Sequence, residues 1–99
     1  MFFGEKLRLL REQNNLTQRL VASSLDIDTA TYCKIEKGDR RAKRDQVLVL
    51  SKLLKTDKKE LLNLWAADKV YEFIANENDA ENILKIVAES IAEYSKKKI

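Results

Sequence analysis

The sequence predicts an all-α fold, and two observations carry that prediction. The 99 residues contain no proline and only two glycines, the residues that most often interrupt helices, and 35% of them are charged. Apolar residues also recur along much of the chain at intervals of three and four, which is the spacing of one helix face. A chain of this length can bury one modest core, so we expect one small domain that is helped by a second subunit.

The first helix is predicted over residues 4–14. Phe3, Leu7 and Leu10 fall on one face at helical spacing, whereas basic side chains lie on the other faces. Asn15 follows the helix, and asparagine tolerates the left-handed conformation that often ends one.

Two short helices with a tight corner between them are predicted next, over residues 17–24 and 28–37. Thr17 and Asp28 are residues that cap helix N-termini, and Gly38 is free to adopt the left-handed conformation at the second helix end. Two helices of about two turns each match the helix-turn-helix that places its second helix in the DNA major groove. On these residues alone, an arbitrary helical hairpin remains an alternative.

A basic segment, residues 37–44 with the sequence KGDRRAKR, follows the helix pair. It is either a solvated connection or a clamp for phosphate oxygens, and we favour the clamp because of the helices before it. The charge distribution agrees. Residues 1–60 carry a net charge of +5 and residues 61–99 a net charge of −2, which indicates that only the first part binds a polyanion.

A fourth helix is predicted over residues 45–54, and a fifth begins at a capping box formed by Asp57 and Glu60. The fourth helix has a broad apolar face that should close the core, made by Val47, Leu48, Leu50, Leu53 and Leu54. The fifth helix either continues towards residue 77 or bends near residues 66–68. We expect Trp65, on this helix, to be a core or dimer contact.

The last helix is predicted to begin at a second capping box, residues 78–81. Its apolar residues have heptad-like spacing and extend a stripe from the fifth helix. This stripe either packs onto the chain's own core or pairs with a second subunit, and we favour a homodimer. We therefore expect a DNA-binding domain over residues 1–66 and a dimerisation extension over residues 67–99. The candidate dimer residues are Val70, Ile74, Leu84, Val87, Ile91 and Tyr94.

Other classes of function find little support in the composition. There is no histidine, no glycine-rich phosphate loop and no nucleophile beside an evident base, so we expect no catalytic residues. The single cysteine, Cys33, excludes an intramolecular disulfide and a multi-cysteine metal site, and we expect neither metal nor cofactor. No apolar run reaches membrane-spanning length, and nothing implies a small-molecule ligand. We expect a cytoplasmic protein.

The sequence resembles the Cro and phage-repressor type of helix-turn-helix regulators, often called XRE-like. The likeness covers about residues 4–64, and it does not cover the last third of the chain. It rests on Leu16-Thr17-Gln18, on Ala22, Leu25 and Ile27, and on Ile35-Glu36-Lys37-Gly38. Asp26 stands where the family usually has a turn glycine, and aspartate tolerates that conformation.

The resemblance implies roles for individual side chains. Arg11 and Glu36 match a partly buried ion pair that ties the first helix to the third. The base-reading positions are Thr29, Ala30 and Lys34. The phosphate-contacting positions are Thr17, Gln18, Arg40, Arg41 and Lys43.

The implied function is a transcriptional regulator, such as a repressor, that binds double-stranded DNA as a homodimer at a site with dyad symmetry. Residues 27–47 look like the controller proteins of restriction-modification systems, which accompany bacterial DNA methyltransferases, and short phage repressors have the same layout. An alternative is an antitoxin-like module whose acidic C-terminal helices bind a partner protein.

Overall fold

The computed structural model describes residues 2–97 of the chain. Within that range all regular structure is helical, with six helices and no strand. The helices are α1 (Phe2–Gln13), α2 (Gln18–Ser24), α3 (Thr29–Lys37), α4 (Arg44–Leu53), α5 (Lys58–Ile74) and α6 (Ala80–Lys97). The prediction of an all-α fold is confirmed, and α5 is one continuous helix through residues 66–68.

The ends of α2 and α3 form where local chemistry predicts them. The Thr17 hydroxyl oxygen accepts a hydrogen bond from the Leu20 N–H at 3.1 Å, and the Asp28 carboxylate accepts one from the Thr31 N–H at 2.7 Å. Each bond satisfies a backbone donor that the first helical turn leaves without a partner. Gly38 ends α3 with φ of 85°, in the left-handed region.

Three residues other than glycine also adopt left-handed backbone conformations. Asn15 and Asp26, with φ of 56° and 55°, occupy the positions where the sequence predicts this geometry. Lys55, with φ of 55°, follows α4, and lysine is not a residue type that predicts this left-handed conformation. There the Thr56 N–H donates to the Ser51 carbonyl at 3.0 Å, which closes the end of the helix.

One hydrophobic core joins the first four helices and the beginning of α5. Its fully buried members include Leu7, Val21, Tyr32, Leu50 and Leu61. The prediction that Leu48 lines this core is wrong, because Leu48 is 39% exposed. Val47, Leu50 and Leu54 are spaced three and four residues apart and fill the inner face of α4, so Leu48 lies to one side of it.

Polar contacts between α1 and α5 add to this packing. The Phe3 N–H, at the start of α1, donates to the Asp68 carboxylate at 3.3 Å. One turn later, the Lys6 ammonium lies 3.4 Å from the Glu60 carboxylate. These contacts join α5 to α1 at Glu60 and Asp68, on either side of Trp65.

Contacts within the chain divide it into two compact units between Lys69 and Val70. In the second unit, five of the six candidate dimer residues are exposed: Val70, Leu84, Val87, Ile91 and Tyr94. Ile74 is 8% exposed, so it offers little surface to a second copy. Among residues 2–97, no helix combines the length and the apolar character needed to cross a membrane.

Candidate nucleic-acid interface

Helix α3 presents one face to solvent and buries the other. Tyr32 and Ile35 lie in the core, at most 2% exposed, whereas Thr29, Ala30 and Lys34 are all exposed. These exposed positions are spaced one and four residues apart, so they share one side of the first two turns. The three predicted base-reading residues thus lie together on a free helix face.

An ion pair behind that face ties α1 to α3. The Arg11 Nε donates to Glu36 Oε2 at 2.7 Å, and Nη2 donates to Oε1 at 3.2 Å. Arg11 Nη1 also donates to the Leu16 carbonyl at 3.0 Å, in the connection before α2. One guanidinium therefore holds α3, α1 and the approach to α2 in a single arrangement.

Glu36 remains ionised although its side chain is only 5% exposed. Burial acts to raise the pKa of its carboxyl group, but hydrogen bonds from Arg11 and Gln18 outweigh burial and leave the pKa below its ordinary value. Burial, together with the nearby Glu36 carboxylate, raises the pKa of the Tyr32 hydroxyl. Tyr32 therefore stays neutral beside the Glu36 carboxylate.

Gln18, at the start of α2, bonds to this ion pair and to Cys33 on α3. Its amide Nε2 donates to Glu36 Oε1 at 3.2 Å, and its Oε1 accepts from the Cys33 thiol at 3.0 Å. Both bonds point into the protein and the side chain is half-buried. One N–H of the amide remains for a contact outside the protein.

Thr17 lies next to Gln18 and is exposed. Its hydroxyl oxygen accepts the capping hydrogen bond from Leu20, so its O–H is still able to donate to a phosphate oxygen.

The backbone of the basic segment is held at both ends. At its beginning, the N–H groups of Asp39 and Arg40 donate to the Lys34 carbonyl at 2.8 and 3.3 Å. At its end, the Lys43 N–H donates to the Gln46 side chain at 2.9 Å. Between them Ala42 is buried at 3% exposure, while Arg40 and Lys43 are exposed. The segment therefore presents basic side chains on an ordered backbone.

Arg41 is exposed but makes contacts to α5. Its guanidinium carbon lies 4.0 Å from the centroid of the Trp65 ring, and its Nη1 donates to the Trp65 carbonyl at 3.0 Å. The Trp65 indole N–H in turn donates to the Ala42 carbonyl at 2.8 Å. The sequence predicts Arg41 as a phosphate contact but contains no local signal for its partner 24 residues away.

Two further residues at this surface were not among the sequence-predicted positions. Arg44 lies with its guanidinium carbon 5.7 Å from the Trp65 ring centroid. Lys37 is exposed one turn after Lys34. Both belong to the basic segment, residues 37–44, and this is the sequence feature that could have identified them as phosphate contacts.

The surface combines a capped pair of short helices, an exposed face on the second of them and an ordered basic segment. Residues 4–65 match the helix-turn-helix domain family. The chain belongs to that family. No curated protein and no solved structure matches the chain.

Membership in the helix-turn-helix family indicates a DNA-binding regulator. The geometry suits binding, since the helix-turn-helix offers a helix for a groove and cations for phosphates. Within the described residues, no three histidine, cysteine, aspartate or glutamate side chains come together as metal ligands would.

Proposed function

We propose that this protein is a sequence-specific transcriptional regulator that binds a dyad-symmetric DNA site as a homodimer in the cytoplasm. The observation that carries the proposal is the solvent-exposed face of α3, with Thr29, Ala30 and Lys34 beside the basic segment. Helix α3 begins directly after its N-cap, Asp28, so Thr29 and Ala30 lie in its first turn. Recognition helices contact base edges in the major groove with their N-terminal residues.

The chemistry of these three side chains supports readout of bases. Lys34 donates hydrogen bonds that suit guanine O6 and N7, and the methyl groups of Thr29 and Ala30 suit contact with the thymine methyl. The Thr29 hydroxyl adds a donor and an acceptor. This set is sparse, so part of the specificity would come from the shape and deformability of the DNA.

Contacts to the DNA backbone would fix the register of α3 on its site. We assign these to Thr17 and Gln18 at the start of α2 and to Arg40, Arg41 and Lys43 in the basic segment. Backbone contacts carry little sequence information but supply much of the affinity, and each neutralised phosphate adds about one unit to the salt dependence.

The exposed apolar stripe of α6 supports the homodimer. Ile91 and Tyr94 are each 61% exposed and lie in line with Leu84 and Val87. An apolar stripe of this length is costly to leave in water, and a symmetric pair of copies would cover it. Two recognition helices would then enter successive major grooves about 34 Å apart.

The association with a restriction-modification or methyltransferase system is a further part of this proposal. It rests on the resemblance of residues 27–47 to controller proteins. Genes for a DNA methyltransferase or a restriction enzyme next to this gene would support this association. If neither gene lies beside it, the proposed role in a restriction-modification system would be rejected.

The decisive experiment is a titration of the purified protein on its own upstream DNA and on a shuffled duplex of equal length, at the same salt concentration. We expect binding to the upstream DNA at least about a thousandfold tighter, the lower bound for specific sites. Equal affinity for both duplexes would refute sequence-specific regulation. A stoichiometric protein partner bound through residues 61–99 would favour the antitoxin-like alternative instead.

A further inference from the structure

Trp65 is the point at which α5 meets the basic segment. Its side chain is half-buried and packs against the hydrophobic core. The indole N–H donates to the carbonyl of Ala42, the one buried residue in the middle of the segment. This hydrogen bond holds the backbone between two exposed cations, Arg41 and Lys43.

The ring face of Trp65 is also a platform for Arg41. A guanidinium carbon 4.0 Å from the ring centroid lies well within the distance of a cation–π contact. The Arg41 Nη1 also donates to the Trp65 carbonyl at 3.0 Å. The guanidinium is therefore held both by stacking on the ring and by a hydrogen bond. The remaining N–H donors of the guanidinium are left for an external acceptor.

We propose that Trp65 is a positioning residue for DNA backbone recognition, which holds Arg41 and the middle of the basic segment in the conformation that grips a phosphate. This inference rests on the proposed DNA-binding function. A free arginine side chain loses much rotamer freedom when it binds a phosphate, and that loss weakens binding. An arginine already stacked and hydrogen-bonded on Trp65 has lost that freedom before the DNA arrives.

Coupling between the two residues distinguishes positioning from simple core packing. Trp65→Leu, Arg41→Ala and the double variant are titrated with DNA between about 50 and 200 mM salt, at a temperature where all are folded. We expect each single variant to bind about fivefold to tenfold more weakly, the loss expected for one hydrogen-bonded contact, and to lower the salt slope by about one. The double variant should lose no more affinity than the weaker-binding of the two single variants.

Two control variants separate the contribution of the ring from general destabilisation. Trp65→Phe keeps an aromatic face for Arg41 but loses the indole N–H and one of the two fused rings, so it should recover most of the salt slope. Leu62→Ala weakens core packing on the same helix, where Leu62 contacts the core, and should leave the slope unchanged. Additive losses in the double variant, an unchanged slope in Trp65→Leu, or an equal loss in Leu62→Ala would overturn the inference.

A fluorescence measurement does not depend on whether the Trp65→Leu variant folds. Trp65 is the only tryptophan in the sequence, so tryptophan emission reports on the surroundings of this one ring. Arg41→Ala should change the emission of the protein without DNA, because the guanidinium already lies on the ring face. Identical emission from the unaltered protein and Arg41→Ala without DNA would contradict the inference, whereas absence of any DNA binding would contradict the proposed function itself.

Discussion

The Arg11 guanidinium donates two hydrogen bonds to the Glu36 carboxylate, from Nε at 2.7 Å and from Nη2 at 3.2 Å. The pair is mostly buried, with side-chain exposures of 14% and 5%. Breaking such a pair leaves one charge buried without its partner, which costs about 3–5 kcal/mol. We expect Arg11→Ala to lower the free energy of unfolding by about 3 kcal/mol in urea denaturation at neutral pH, because Arg11 keeps some contact with water.

The exposed pair of Arg8 and Glu12, at 2.8 Å, provides the matched control. Arg8→Ala should cost well under about 1 kcal/mol, as exposed pairs on one helix usually do. An equal loss in both variants would mean that burial of the Arg11–Glu36 pair adds nothing to stability.

The lowered pKa of Glu36 predicts a dependence of stability on pH. Because the carboxyl group holds its proton less tightly in the folded protein than in the unfolded chain, its stabilising effect is complete above its ordinary pKa of 4.5. That effect is lost as the pH falls from 4.5 through the lower folded-state pKa. The difference in unfolding free energy between the unaltered protein and Glu36→Gln should therefore be constant near neutral pH and shrink below pH 4.5. A difference in unfolding free energy that grows on acidification would contradict a lowered pKa for Glu36.

Gly4 permits the close approach of α1 and α3. A Cβ atom on this residue would collide with the Glu36 carbonyl oxygen and lie 2.9 Å from the Ile35 carbonyl oxygen, both of which are backbone atoms. Alanine would favour the helix by up to about 1 kcal/mol, but overpacking against a backbone costs about 1–3 kcal/mol. We expect Gly4→Ala to be destabilising by about 1–2 kcal/mol in thermal or urea unfolding. A more stable variant would show that α1 shifts freely.

Lys34 is the longest of the three proposed base-reading side chains. Lys34→Ala should remove about 1–3 kcal/mol of discrimination at one base pair, measured by affinity for a panel of single-base variants of the operator. Lys59→Ala, an exposed lysine on α5 outside the proposed interface, should leave the preference unchanged. Unchanged base preference in Lys34→Ala would show that this residue does not read a base.

The homodimer is tested by a charge placed in the apolar stripe of α6. Ile91→Glu should shift the protein to monomers in analytical ultracentrifugation, because pairing would bury an uncompensated carboxylate. Asn82→Glu adds the same charge at another exposed position of α6 and should leave the dimer intact. If the unaltered protein sedimented as a monomer at micromolar concentration, the stripe would need another partner.

The sequence by itself determined where α2 and α3 begin and end. Thr17, Asp28 and Gly38 act through hydrogen bonds and backbone preferences that span at most a few residues, so their residue types predict the local structure. The apolar spacing of the first helix likewise predicted that Phe3, Leu7 and Leu10 share one face, and all three are buried.

Only the tertiary structure decided how the side chains of the interface are held. Gln18 bonds to Glu36 across 18 positions of sequence, and Arg41 stacks on Trp65 across 24. The burial of Ile74 and the exposure of Leu48 also depend on which helices lie beside them. Contacts between distant residues follow from how helices pack, and the spacing of residues along one helix does not encode that packing.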